Sequence, residues 1–200
     1  MSTEKQPTGI VKSRRVRDIA MAVFIGLVIL GVVFAFNRDK GVAEGDSRSV
    51  SVAAALGPAP KVGNLAPDFR VLLMDGSYLR LSEMKGKVVW LNLWATWCPP
   101  CRAENPDIQS VYEEEKDKGL IVLAVNFGEP KQDVVGYVNR TGLSYMIGLD
   151  YDSSVASLYR LTGLPSHFFI DKNGILREIR IGAMNRSTMK AKVEQYLAER

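Results

Sequence analysis

A chain of 200 residues, 46% of them apolar, is long enough for one packed domain of about 150 residues plus an extension. Its net charge of +4 comes entirely from residues 1–40, which hold seven Lys or Arg against three Asp or Glu; residues 41–200 hold nineteen of each. The basic balance therefore belongs to the N-terminal segment, and a nucleic-acid-binding surface is not expected.

Residues 1–18 carry Lys5, Lys12, Arg14, Arg15 and Arg17, and the run from Ile19 to Phe36 has no charge. Eighteen apolar residues are about the length that crosses a bilayer core of ~30 Å as a helix. The alternative is a cleavable signal peptide, because Val33-Phe34-Ala35 loosely resembles a cleavage site, but the run exceeds the usual ~7–15 residue core of such peptides. Positive charge concentrated before the span puts the N-terminus in the cytoplasm and the remainder outside it. The expectation is a basic cytoplasmic segment 1–18, a transmembrane signal-anchor 19–36, a Gly/Ala/Ser/Pro-rich flexible linker 37–61, and a folded domain 62–200.

Asp75-Gly76 stands between two short apolar-rich runs, the pattern of a tight hairpin. "VVWLNLW", residues 88–94, is nearly continuously apolar and β-rich, as befits a strand covered on both faces. A helix is expected from Arg102 to Lys118, with Ile108, Val111 and Tyr112 at helical spacing and a kink at Pro106. Then follow a buried strand "LIVLAVNF", a helix "KQDVVGYVNRT", a short strand "YMIGL" and a helix "SSVASLYRL". "SHFFID" and "ILREIRIG" form a second hairpin around Asn173-Gly174, and a last helix is capped by Asn185 or Ser187.

The only cysteines, Cys98 and Cys101, lie in "WATWCPPC" at the end of the first buried strand. A structural zinc needs about four Cys or His ligands, and the chain adds only His167. A haem-attachment CxxCH would need a histidine where Arg102 stands. A disulfide closing so short a loop removes little chain entropy, so a stabilising staple is a poor explanation. Redox chemistry remains: no metal and no cofactor are expected, and a CxxC in βαβ surroundings points to thiol-disulfide exchange. Between a strand end and a helix start, the helix dipole and free N–H groups favour negative sulfur at Cys98. Cys101, one turn later, is the covered, resolving thiol. Pro99 and Pro100 bring no N–H to the Cys98 thiolate, which makes the pair less oxidising. His167, the sole histidine, is expected to pack on its strand or face solvent.

"WATWCPPC", "GLPSHFFID" and "IGAMN" resemble the thioredoxin fold, and the opening "GNLAPDF", the first hairpin and the extra helix and strand between residues 129 and 150 resemble the membrane-anchored TlpA/ResA-like thioredoxins. The resemblance covers roughly residues 62–199. It implies an α/β thioredoxin-like fold with an N-terminal hairpin and a central inserted helix-strand element. It also implies a redox disulfide between Cys98 and Cys101, a cis-proline at Pro165, and a substrate groove in which Leu164 offers its backbone beside Trp97 and Pro99. One departure stands out: where cytosolic thioredoxin buries an aspartate, six residues before the first cysteine, this chain has Asn92. The resemblance assigns the vacated proton-transfer role to Glu129. By the same resemblance, the substrate is a disulfide-containing protein, apocytochrome c above all, and the electron donor is a membrane thiol reductant. Two alternatives are weaker. A thiol peroxidase needs Thr or Ser three residues before its reactive cysteine and Pro four further back, where this chain has Ala95 and Leu91. A tethered, non-enzymatic peptide-binding module would not need the cysteines.

Overall fold

The computed structural model describes residues 20–21, 23–32 and 57–199. The expected basic segment 1–18, residues 19, 22 and 33–36 of the expected anchor, and residues 37–56 of the expected linker lie outside them. Residues 20–21 and 23–32 are helical, and no helix among the described residues is long and apolar enough to cross a membrane. They belong to one unit, Met1–Ser49; all that follows concerns the other, Val50–Arg200.

Seven strands make one mixed sheet: β1 (Arg70–Leu73), β2 (Tyr78–Arg80), β3 (Val88–Trp94), β4 (Leu120–Phe127), β5 (Met146–Asp150), β6 (Ser166–Ile170) and β7 (Leu176–Ile181). Their spatial order is β2-β1-β5-β4-β3-β6-β7. The helices are α1 (Pro99–Glu115), α2 (Lys131–Thr141), α3 (Ser154–Leu158) and α4 (Arg186–Ala198). The central parallel strands β3, β4 and β5 are joined by helical crossovers; β6 extends the sheet antiparallel to β3, and β7 pairs antiparallel with β6. This is an α/β thioredoxin-like arrangement.

The period of two along β3 builds both halves of the core. Every residue of β3 is buried. Val88, Trp90 and Trp94 pack with Ile108 and Val111 of α1, Val134 and Tyr137 of α2, and Met189 and Val193 of α4. Val89, Leu91 and Leu93 face the other way, toward Phe69, Leu81, Val155 and Tyr159. So α1, α2 and α4 cover one face, while α3 and the segment leading into the sheet cover the other.

Local chemistry sets the boundaries. The β1–β2 hairpin turns where expected: Gly76, at φ 94°, donates its N–H to Leu73, and the Asp75 carboxylate accepts from the Ser77 N–H and hydroxyl. The second hairpin turns at Gly174, φ 81°, under the Asp171 carboxylate. Asn185 caps α4 by accepting from the Thr188 N–H at 2.9 Å, which decides between the two expected caps, and Ser187 bonds to Asn185 instead. Helix α1 starts at Pro99, three residues earlier than expected, and runs through Pro106 to Glu115. The expected "SSVASLYRL" helix is shorter, ending at Leu158, because Arg160 takes a left-handed φ of 53°. Gly148 lets β5 approach its neighbours: a Cβ there would stand 3.0 Å from Val71 and 3.1 Å from Val125.

Candidate redox site

The parallel pairing of β3 with β4 delivers the reactive groups to one end of the sheet. Strand β3 runs out at Trp94, and after Ala95, Thr96 and Trp97 the chain enters α1 at Pro99, so Cys98 is the helix N-cap. Proline is favoured in a first helical turn because its missing N–H is one the helix would leave unbonded. Here both Pro99 and Pro100 occupy that turn. The first backbone donor within the helix that reaches Cys98 is therefore the N–H of Cys101, 3.3 Å from the Cys98 sulfur.

Cys98 and Cys101 are joined in a disulfide, with Cα atoms 5.3 Å apart. They are not equivalent. Cys101 is fully covered, whereas Cys98 retains 3% of its surface and is part of the wall of an apolar groove of about 400 Å³. Trp97, Pro99, Phe127, Leu161 and Leu164 line the same groove. Trp97 is 61% exposed, which places it on the rim of the groove. The Leu164–Pro165 peptide bond is cis. The Pro165 carbonyl accepts from the Gly182 N–H at 2.8 Å and the Ser166 hydroxyl donates to Gly163, so the groove wall is tied on both sides.

Glu129 lies just beyond β4 and is 9% exposed. Its carboxylate accepts from the Thr96 N–H at 2.6 Å, from the Thr96 hydroxyl, and from the Asn126 side-chain amide at 2.6 Å. It therefore grips the backbone two residues before Cys98. Asn92 is completely buried, and neither end of its amide has a protein partner.

His167 is also completely buried and packed on its strand. Its Nδ1 accepts from the Trp90 indole N–H at 3.2 Å, and its Nε2 stands 3.3 Å from Oε1 of Glu104. The other Glu104 oxygen accepts from the Met184 N–H at 3.1 Å. Glu104 escaped the sequence reading. A signal was present, for it lies three residues after Cys101 and so one turn along the same helix face, but its partners are 63 and 80 residues away. Among the described residues, no group of three or more His, Cys, Asp or Glu side chains converges as metal ligands.

Residues 62–179 match the AhpC/TSA family. Thiol-disulfide oxidoreductase ResA of Geobacillus kaustophilus is 40% identical over 136 residues, 68% of this chain and 78% of that protein. The chain belongs to the ResA family of thiol-disulfide oxidoreductases. ResA of Oceanobacillus iheyensis is 32% identical over 188 residues, 92% of this chain and 91% of that protein. Among solved structures, a thiol:disulfide interchange protein of the thioredoxin family from Chlorobium tepidum matches with a TM-score of 0.63 and 26% identity, covering 70% of this chain and all of that one. The Cys98–Cys101 pair is accordingly the redox-active disulfide of an oxidoreductase.

Proposed function

We propose that this protein is a membrane-tethered, extracytoplasmic reductant of disulfides in partner proteins, with apocytochrome c as the substrate during cytochrome c maturation. One observation carries the assignment of roles: Cys98 lines the open groove while Cys101 is fully covered. In the reduced protein the Cys98 thiolate attacks one sulfur of a substrate disulfide and expels the other as thiolate. Cys101 then attacks the Cys98 sulfur and releases the substrate's second thiol. Two electrons pass to the substrate, and the protein is left as the Cys98–Cys101 disulfide, which a membrane thiol reductant returns to the dithiol. Leu164 presents backbone to an extended substrate segment held between Trp97 and Pro99.

Glu129 is placed to act on this chemistry through the loop that it grips. Its negative charge opposes thiolate formation nearby and restrains the pair until a substrate docks. The charge-free run 19–36, the basic residues before it and the linker 37–61 support an anchor with the domain 62–200 outside the membrane.

The test is reduction of a disulfide-bonded CxxCH peptide by the full-length reduced protein, followed as thiols released. Stoichiometric release that is lost in Cys98→Ser supports the reading. Peroxide consumption without peptide reduction would replace it by a thiol peroxidase, and peptide binding that survives loss of both cysteines would replace it by a binding module.

A further inference from the structure

The chemistry above leaves a buried pair unused. His167 lies two residues after the cis-proline and Glu104 one helical turn after Cys101, so their contact joins the two segments that build the site. Through the Met184 N–H, Glu104 also holds the loop that bonds to the Pro165 carbonyl.

Hydrogen-bond direction fixes the state of the imidazole. An indole N–H only donates. The Trp90 bond at 3.2 Å therefore requires Nδ1 of His167 to be an unprotonated acceptor, which puts the ring proton on Nε2. That N–H stands 3.3 Å from Oε1 of Glu104, a contact short of hydrogen-bond geometry, and neither atom has a hydrogen-bond partner in the protein. Trp90, His167 and Glu104 are all at most 2% exposed. The other ionisable group beside His167 on the sheet is Arg180, its partner across the β6–β7 ladder. Arg180 is half-exposed and leans toward Glu178, which Lys192 and Tyr196 of α4 hold. Nothing else in the contacts of Glu104 supplies a donor to Oε1.

We propose that His167 is a positioning residue of the redox site: with its tautomer fixed by Trp90, it presents Nε2–H to Glu104 and so sets the charge on the helix face beneath Cys101. Without that contact, nothing in the protein fixes Oε1, and the Glu104 carboxylate is free to turn away from the face beneath the cysteines. With that negative charge farther from the cysteines, thiolate formation there becomes easier. The proposal rests on the site's dithiol chemistry but not on which protein it reduces.

The experiment is the rate of alkylation of the reduced full-length protein against pH, read on whichever cysteine reacts first. His167→Leu is expected to move the midpoint to lower pH by about half a unit or more. His167→Gln, which keeps an N–H near the Nε2 position, is expected to restore it. Trp90→Phe frees the tautomer and is expected to move the midpoint the same way, by less. If His167→Leu lowers the melting temperature while its alkylation curve superimposes on that of the parent, His167 is merely structural and the proposal is overturned. Should His167→Leu fail to fold, an unshifted curve for Trp90→Phe overturns it equally. Failure of peptide reduction with the expected alkylation shifts would strike the assigned function and leave this inference standing.

Discussion

Cys98 and Cys101 differ in the one respect that decides which sulfur a bulky partner meets, since the groove reaches Cys98 and α1 covers Cys101. Cys101→Ser is therefore expected to accumulate a mixed disulfide with substrate through Cys98, and Cys98→Ser almost none. Non-reducing gels of the two variants check this, and equal trapping would reverse the roles. Glu129 accepts three hydrogen bonds, and Glu129→Gln would turn an amide N–H toward one of those donors. That is expected to cost about 1–3 kcal/mol, read by urea unfolding. Removal of the charge is also expected to lower the pKa of at least one active-site thiol and to slow substrate reduction. Unchanged alkylation curves and unchanged kinetics would return Glu129 to an ordinary loop residue. The Cys98–Cys101 redox pair was legible because a CxxC at a strand-helix junction is local chemistry. The Glu104–His167 contact was not, because it depends on how α1 settles against β6, and nothing within either segment specifies it.

At the scale of elements, β7 is an edge strand and is fastened to α4 by Glu178, which bonds to Lys192 and Tyr196. Burial alone would raise the Glu178 carboxyl, but those two hydrogen bonds and the Lys192 charge outweigh it and hold it below its ordinary 4.5. A depressed carboxyl contributes stability that is complete above the unfolded value and is lost as pH falls through the folded one. Unfolding midpoints in urea are thus expected to decline as pH drops below about 4.5, and Glu178→Gln is expected to lessen that decline. An identical acid limb in the variant would remove Glu178 from the account. The strands were readable for physical reasons: β3 and β4 are continuous apolar runs because sheet neighbours and helices enclose both faces, and the hairpins are marked by Asp-Gly and Asn-Gly. The early start of α1 was harder to see, since Pro99 and Pro100 read as breakers until their place in the first helical turn is known. The truncated α3 depends on the left-handed Arg160, which also bonds to the Gly57 carbonyl at 3.0 Å, a contact across about half the chain.

For the whole molecule, the proposed function requires the redox domain to meet both a substrate and an electron donor. A tether through residues 19–36 predicts that the intact chain stays in the membrane pellet through carbonate washing. A soluble mature chain beginning at Phe36 would show cleavage instead. The direction of electron flow is the central claim. It follows from the two prolines of the CPPC loop, which leave the Cys98 sulfur with the Cys101 N–H as its helical donor. A thiolate with little support makes the dithiol readier to give up electrons. The deciding measurement is the midpoint potential of the Cys98/Cys101 pair, equilibrated with thiol buffers in the full-length protein. The account predicts a value nearer thioredoxin, about −270 mV, and a value near the strongly oxidising −120 mV or so of DsbA would contradict it.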